Sequence, residues 1–529
     1  MSKFVMKSLV AALLVTTPLG AAHAKASGAL KKEVAAGVEG RAKLVQEMVD
    51  SVFSFQEPGF QEFQTMEYLT AILAKNGFAI EKGVAGVPTA WTATWSNGDG
   101  PTVALGSDVD GLLGLSQTPG VTEIKPLVAG APGHGEGHNA GMPLIIASAL
   151  ALKDVMTKHN IKGKLMLWPG VAEELLGTKA FYVRAGMFKD VDVSIFTHVA
   201  SSFGTAWGDT GNNGLVSVEY TFKGRTSHAA GAPWAGLSAL DGVELMNTAW
   251  NMRREHLPLT QRSHYVITNG GGQPNIVPGE AAVWYYFRDQ TFDTIRKLYE
   301  TGNEISEAAA KATGTTVTRR LLGYAAPNHA NRPLAEAAQA NIELVGMPKW
   351  SAEDQAFTKA VQEGLKFKVE PLKTTVEKLS TPESRGRSMG GGSDDIGDIM
   401  WTVPTITIRF PSNIPNMIGH NVTSAIAMAT PVAHKGAVAG AKAVAMTALD
   451  ALTTPKLIAD AKAYFRDVQT KDQKYDPVLS AADQPAIHLN KDVMERMRPE
   501  LEKHYYDPAK HPSYLDQLGL SYPALTPAQ

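Results

Sequence analysis

The sequence predicts an α/β protein with a mainly parallel sheet and a smaller inserted domain, on the strength of three observations. Short apolar runs typical of buried strands alternate with helical patterns between Thr102 and Thr197. Polar clusters directly follow these runs, at the strand ends where open α/β sheets bind ligands. From Leu215 the order changes to β-α-β-β-α-β, which is the ferredoxin-like arrangement of an α+β domain.

The individual elements follow from hydrophobic spacing. In the first part we expect helical structure at 30–75, 143–156 and 177–185, and strands at 102–105, 164–168 and 193–197. In the insert we expect strands at 216–222, 263–268, 281–288 and 315–322, and helices at 236–253 and 291–313. The first pattern then resumes with a strand at 405–410 and a helix at 431–452. A charged helix and a tail rich in Pro and Tyr complete the chain.

These elements divide the chain into five predicted segments. They are a signal peptide (1–24), the first part of a catalytic domain (25–212), an inserted lid (213–324), the second catalytic part (325–452) and a C-terminal extension (453–529). The signal peptide has basic Lys3 and Lys7, a short apolar run, and the cleavage pattern Ala22-His23-Ala24. We therefore expect a secreted protein, located in the periplasm if the host is a Gram-negative bacterium.

Charge and composition argue against several classes of binding partner and of chemistry. The net charge of -2 gives no electrostatic reason for binding nucleic acid or an anionic membrane. After the signal peptide, we expect no segment with the apolar length that a bilayer requires. The chain has no cysteine, which suits an oxidising compartment and excludes thiolate ligands and thiol nucleophiles.

Potential metal ligands occur in four separate places at predicted loop ends. The stretch Gly133–Gly141 contains Glu136 and His138 among glycines, and Glu174, His198 and His420 follow later strands. Imidazole and carboxylate are the usual donors for zinc or manganese, and glycine allows the turns that let them converge. Because zinc hydrolases use about three protein ligands per metal, five ligands suit two divalent ions that share a bridge. The alternative for the Gly-rich stretch is a solvated turn.

Glu173 and Asp110 are acidic residues for which we predict roles other than binding a metal ion. In the pair Glu173-Glu174, one carboxylate can bind metal while Glu173 acts as general base on water. Two exposed acids at a helix N-terminus are the alternative. Asp110 is a candidate for accepting the second N–H of a metal-bound histidine, or else a turn residue. His134 is a weaker ligand candidate, since its glycine neighbours suit a loop.

At these residues the sequence resembles the acetylornithine deacetylase, glutamate carboxypeptidase and aminoacylase family of metal-dependent amidohydrolases. It is most similar to the branch that contains the p-aminobenzoyl-glutamate hydrolase subunits. Between about residues 40 and 450 the matching stretches keep the family order. They are 107–117, 133–139, 172–174, 197–199, 222–230, 270–278, 394–401, 419–420 and 433–436.

The resemblance implies a dinuclear metal site and a lid through which two chains form a homodimer. By position it implies that His138, Glu174, His198 and His420 are metal ligands and that Glu173 is the base. It also implies that His228 and Asn275 of the lid bind the scissile carbonyl oxygen or the substrate carboxylate, often across the dimer. Relatives commonly have cysteine at the position of Glu136. The harder carboxylate favours zinc or manganese over softer ions, and the alternative is a site that binds metal weakly.

The sequence therefore predicts an exported amidohydrolase that cleaves N-acyl amino acids or small peptides with metal-activated water. Arg288, Arg385 and Arg387 are candidates for holding a substrate carboxylate, or else form surface ion pairs. One alternative is a metallo-carboxypeptidase or dipeptidase for true peptides. A more distant alternative is a periplasmic solute-binding protein, which would bind its ligand without turnover.

Overall fold

The computed structural model describes residues 27–385, 390–523 and 525, so the predicted signal peptide lies outside the described residues. The strands are β1 (Ala79–Lys82), β2 (Trp91–Ser96), β3 (Thr102–Asp108), β4 (Lys164–Gly170), β5 (Val193–Ala200), β6 (Gly204–Thr205), β7 (Gly208–Asp209), β8 (Gly214–Lys223), β9 (Arg262–Asn269), β10 (Glu280–Asp289), β11 (Thr316–Ala325), β12 (His329–Ala330) and β13 (Thr405–Pro411). The helices are α1 (Gly28–Glu39), α2 (Ala42–Phe55), α3 (Phe63–Lys75), α4 (Gly141–Lys158), α5 (Lys179–Arg184), α6 (Ala239–Arg254), α7 (Phe292–Thr313), α8 (Arg332–Val345), α9 (Ala352–Gly364), α10 (Pro382–Arg385), α11 (Ile396–Met400), α12 (Val422–Ala425), α13 (Pro431–Thr453), α14 (Pro455–Tyr464), α15 (Lys491–Leu501) and α16 (Tyr514–Gln517).

The large sheet has the strand order β1-β2-β4-β3-β5-β13-β6. Its four central strands, β4, β3, β5 and β13, are parallel, whereas β1, β2 and β6 join antiparallel at the two sides. The central strands consist almost entirely of buried residues, as expected for strands covered on both faces. The predicted mainly parallel α/β sheet is confirmed. The antiparallel strands β1, β2 and β6 at its two sides were not predicted from the sequence.

Two apolar helices, α4 and α13, pack against each other and beside this sheet. Gly436 of α13 allows a close approach, since a Cβ there would lie 2.0 Å from the carbonyl oxygen of Pro411.

The segment His138–Lys158 has the length and hydropathy of a membrane span, contrary to the expectation from sequence. However, 83% of its apolar window is buried inside the protein, so α4 has the environment of a core helix.

The inserted lid contains β8, α6, β9, β10, α7 and β11 in that order. Its antiparallel sheet has the order β11-β8-β10-β9, which is the ferredoxin-like arrangement, and this prediction is confirmed. The helices cover one face of the sheet, where Phe222, Trp250 and Phe287 are buried together. Side chains on the opposite face of β10 are only partly buried, because strand residues alternate between faces.

The two ends of the chain differ from the sequence-based description. The helical region 30–75 consists of three helices, interrupted between α2 and α3 by a buried loop at residues 56–62. The extension contains α14, α15 and α16 rather than one helix and a tail. Its residues Tyr506 and Tyr514 are buried and belong to the core cluster that includes Phe53 of α2. The C-terminal extension is therefore packed onto the catalytic domain.

Candidate functional site

The four central strands carry the predicted site residues to one edge of the sheet. Because β4, β3, β5 and β13 are parallel neighbours, their carboxyl ends meet there. Asp110 follows β3, the Glu173-Glu174 pair follows β4, His198 lies near the end of β5, and His420 follows β13. The Gly-rich stretch precedes α4 and reaches the same edge.

The structure brings all five predicted metal ligands together. Glu136, His138 and His198 form one group, and Glu136, Glu174 and His420 form a second, with potential ligand atoms within 4.8 Å of one another in each. Glu136 belongs to both groups. One oxygen of Glu136 lies 3.9 Å from Nε2 of His198, and the other lies 2.7 Å from Nε2 of His420. This is the arrangement expected of a carboxylate between two cations.

Asp110 lies next to the ligands and contacts two of them. One of its oxygens is 3.3 Å from Nδ1 of His138, and the other accepts a hydrogen bond of 3.0 Å from the backbone N–H of Glu174. Nδ1 of His198 lies 2.9 Å from the carbonyl oxygen of Val199. In both histidines the remaining Nε2 is thus available to a metal, because hydrogen bonding of one ring nitrogen fixes the tautomer.

The backbone at the site adopts conformations that are uncommon for residues with a side chain. Ala172 and Leu176, on either side of the Glu173-Glu174 turn, have φ values of 52° and 51°, and His420 has a φ of 56°. Such left-handed positions cost free energy and persist where surrounding contacts determine them. They allow the two adjacent glutamates and the exposed histidine to point into the same cluster.

The electrostatics of the cluster fit a bound cation. Burial, opposed by His138 and reinforced by Glu136 and Asp110, raises the pKa of Glu174 to about 8. Burial disfavours the charged form of His138, but the hydrogen bond that its Nδ1–H donates to Asp110, together with nearby carboxylates, raises its pKa to about 10. Nε2 of His138 and Oε2 of Glu174 are buried without a hydrogen-bond partner among the described residues. Since metal ions displace protons from their ligands, these residues fit divalent metal.

Glu173 differs from Glu174 in its surroundings. Its Oε2 lies 4.0 Å from Nε2 of His138, and it is grouped with the buried acids Asp108, Asp394 and Asp395. Burial, together with the charges of Asp108 and Asp394, raises the pKa of Glu173 well above its usual value. The ammonium of Lys179 opposes this effect. A carboxylate with high proton affinity is suited to accept a proton from water and release it later.

A cavity of about 430 Å³ opens over the cluster. Glu136, Glu173, Glu174, His198 and His420 line it. Residues of the lid and of the loop before α11 line it as well, namely Tyr286, Arg288, Ser393 and Asp394. The catalytic domain and the lid therefore contribute to one cavity.

Several predicted residues lie elsewhere. His228 and Asn275 are exposed on the lid, and neither lines this cavity in the single chain. Nδ1 of His228 instead accepts hydrogen bonds from the N–H groups of Ala230 and Gly231 at 3.2 and 3.1 Å. Within one chain, His228 therefore stabilises the turn that follows it.

The weaker candidates also lie apart from the metal ligands. His134 is buried beneath α2, with Nε2 3.0 Å from the carbonyl oxygen of Val52, and burial lowers its pKa to about 4. The guanidinium of Arg385 bonds to backbone carbonyls of Trp207 and Asp209 in a neighbouring cavity. Arg387 lies outside the described residues.

The structure adds residues that were missed from the sequence. Arg409 of β13 pairs in register with His198, and its Nη1 lies 3.3 Å from Nδ1 of that histidine. Tyr286 lies beside Arg288, whose guanidinium is 5.2 Å from the centre of the tyrosine ring. Strand alternation could have identified Tyr286, because residues two apart share a face. A charged residue within the apolar strand 405–410 was the available signal for Arg409.

Comparison with known proteins identifies the family. Residues 210–314 match the peptidase dimerisation domain of the M20 family. A p-aminobenzoyl-glutamate hydrolase subunit of Escherichia coli is 30% identical over 451 residues, which cover 81% of this chain and 93% of that protein. The chain belongs to the M20 peptidase family. The Xaa-Arg dipeptidase of Mus musculus is 27% identical over 445 residues, covering 83% of this chain and 92% of the relative.

Solved structures share the fold of this M20 chain. The aminobenzoyl-glutamate utilization protein of Klebsiella pneumoniae has a TM-score of 0.53 at 16% identity, covering 78% of this chain and 96% of the other. A Bacillus subtilis protein described as a dinuclear metal binding peptidase of the M20 family has a TM-score of 0.50 at 16% identity, covering 79% and 99%. This chain is accordingly a metal-dependent M20 amidohydrolase or peptidase that acts on amide bonds, and the solute-binding alternative is wrong.

Glu136 is shared by both groups of potential ligands, at the position where the family resemblance implies cysteine. Because it belongs to both groups of ligands, Glu136→Ala should lower metal stoichiometry and amide hydrolysis together. Glu136→Cys should restore part of both, since thiolate is a good zinc ligand. Metal per chain, measured by inductively coupled plasma mass spectrometry, checks this prediction. Full metal occupancy in the alanine variant would make Glu136 an ordinary loop residue.

Proposed function

We propose that the protein is an exported amidohydrolase that hydrolyses N-acyl amino acids with an aromatic acyl group and an acidic amino acid. The main observation in support is one cavity that Glu173 and the candidate metal ligands line together with Arg288 and Tyr286 of the lid. Hydrolysis of small peptides is the alternative within the same chemistry. Relatives named for aminobenzoyl-glutamate and for indole-3-acetyl-aspartic acid favour the first, while the Xaa-Arg dipeptidases favour the second.

Arg288 is suited to the substrate carboxylate. Its Nη1 donates a hydrogen bond of 3.3 Å to Oγ of Ser393, while its buried Nε has no hydrogen-bond partner within the described part of the chain. A guanidinium with free donors binds carboxylates through parallel hydrogen bonds. The ring of Tyr286, which lines the cavity, offers an aromatic surface to the acyl group. The centre of the Trp284 ring lies 5.8 Å from the centre of this ring, on the same face of β10.

The reaction would place the scissile amide in this cavity, between the candidate metal ligands and Arg288. Glu136, His138, Glu174, His198 and His420 would hold two divalent ions, zinc or manganese, which when bound lower the pKa of water and polarise the carbonyl. Glu173 would take a proton from the attacking water and deliver it to the leaving amine. Asp110 would hold the His138 ring in place. Arg288 would keep the substrate carboxylate at a fixed distance from Glu173.

Export and dimer formation complete the proposal. The signal pattern in residues 1–24 and the absence of cysteine support an oxidising compartment outside the cytoplasm. The peptidase dimerisation domain match supports a homodimer through the lid. The edge strand β9 fits this role, because Val266 and Ile267 are exposed on it and an unpaired edge can pair with a second copy.

Metal analysis followed by a substrate screen tests the activity. The purified protein should contain or bind zinc or manganese, and chelation should abolish hydrolysis. Aminobenzoyl-glutamate should be cleaved faster than dipeptides, and Arg288→Met should raise KM by about tenfold or more through loss of a charged hydrogen bond. Lys223→Met, at an exposed position of the same sheet, is the matched control. Preference for dipeptides would support the alternative.

Glu173→Gln tests the general base. The amide keeps the size of the side chain but cannot accept the proton, so turnover should fall at least about a hundredfold. Metal content should stay unchanged, because Glu173 is proposed to act on water. Fixed-time product assays measure turnover, and metal analysis of the same sample measures metal content. Near-normal turnover would exclude Glu173 as the base.

Complementation between variants tests whether His228 acts across the dimer. His228→Ala and Glu173→Gln homodimers should each be nearly inactive, but subunit exchange should restore activity. A heterodimer would hold one site with both residues intact. Exchange is verified independently with two affinity tags. Exchange without recovery would mean that His228 acts within its own chain or only as a turn residue.

A further inference from the structure

The C-terminal extension contacts the buried loop between α2 and α3, residues 56–62. Arg498 of α15 donates hydrogen bonds to Oε1 of Glu57 at 2.5 Å and to the carbonyl oxygen of Gln61 at 3.0 Å. Just before this helix, the side chain of Asn490 donates to the carbonyl oxygen of Gly59 at 3.0 Å. Nε2 of Gln61 donates back to the carbonyl oxygen of Leu489 at 3.1 Å.

The contact between the extension and the loop depends on the buried carboxylate of Glu57, with which Arg498 forms an ion pair. The Glu57 side chain is fully buried, and its oxygens accept hydrogen bonds from the N–H groups of Gln64 and Thr65 at the start of α3. Burial raises the pKa of Glu57, and the charge of Arg498 opposes the rise. A buried carboxylate requires compensation of this kind, so loss of Arg498 disturbs the loop itself.

Loop 56–62 in turn supports two loops of the active site. The carbonyl oxygen of Glu57 accepts a hydrogen bond of 2.8 Å from the N–H of Gly111, the residue after Asp110. Oε1 of Glu62 accepts one of 2.9 Å from the N–H of Ala172, the residue before Glu173. Gly59 packs so closely on Ala172 that a Cβ at Gly59 would lie 2.9 Å from its Cα.

We propose that residues 489–498 of the C-terminal extension are a positioning element of the active site, acting through loop 56–62 on Asp110 and on the Glu173-Glu174 turn. The inference rests on the proposed function for the roles of those three acids. The left-handed backbone at Ala172 explains why external support is needed, since a strained turn relaxes when its contacts are lost. Arg498 and Asn490 are positioning residues, because they bond to the loop and act on the ligand candidates only through it.

The test compares Arg498→Gln with Arg496→Gln, an exposed arginine two residues away on the same helix. Measurements are kcat, KM, thermal midpoint, and affinity for Zn²⁺ or Mn²⁺ by chelator competition. Arg498→Gln should weaken metal affinity by about tenfold or more, as removal of residues that orient ligands usually does. Its kcat should fall with little change in KM, because the side-chain hydrogen bond described for Arg288 is to Ser393 and not to loop 56–62. Arg496→Gln should behave as the parent protein.

Two further variants separate positioning from folding. Arg498→Lys keeps the charge but has one compact donor group, so it should recover part of the metal affinity and kcat. Asn490→Gly suits the φ of 62° at this position and removes only the bond to Gly59, so a smaller loss in the same direction is expected. If Arg498→Gln does not fold, Asn490→Gly decides the question.

The outcomes distinguish the two proposals. Parent-like kcat and metal affinity in folded Arg498→Gln, or in Asn490→Gly if only that variant folds, would overturn the positioning role and leave the proposed function intact. A lower thermal midpoint with unchanged metal affinity would also overturn it, because the extension would then serve stability alone. A parent protein that binds no divalent metal would overturn both.

Discussion

Buried carboxylates crowd the carboxyl ends of β3 and β4, and the surrounding structure is organised by what compensates their charge. Lys179 is fully buried and ion-pairs with Asp108 at 2.7 Å and with Asp395. Even so, burial raises the pKa of Asp108 to about 7 and that of Asp395 to about 6. Lys179 thereby connects β3, α5 and the start of α11 beneath the site.

This division of charge supports the different roles proposed for the acidic groups. Glu173, Asp394 and Asp395 also lie close enough to hold an ion, but the ammonium of Lys179 already contacts Asp395. Glu136 and Glu174 have only histidines as counterparts among the described residues, and the imidazoles of His138 and His420 carry raised pKa values of about 10 and 9. The protons held there are those that divalent ions would displace. Glu173 lies between the two environments, which suits a group that moves a proton.

The sequence predicted the fold, and it predicted which acidic and histidine side chains meet at the sheet edge, because both depend on local patterns. Strand runs ended just before His198 and the Glu173-Glu174 pair, and parallel strands bring such ends together regardless of loop details. The role of loop 56–62 could not be predicted in this way. Its contacts join residues 110 and 441 positions apart, namely Glu62 with Ala172 and Glu57 with Arg498. No periodicity marks such pairs.

The lid shows a second limit of sequence reasoning. His228 and Asn275 were assigned by resemblance, yet in one chain they lie on its exposed surface, while Arg288 and Tyr286 reach the cavity from the same domain. The difference follows from which face of the lid each occupies. β10 presents Tyr286 and Arg288 on the face that is free of α6 and α7, so they adjoin the chain's own cluster. His228 lies in the loop beyond β8, beside Ile276, and Nε2 is the ring nitrogen left for a second chain to use. The cavity is thus built by one chain, and in the proposed homodimer His228 is the lid residue that a second chain would use.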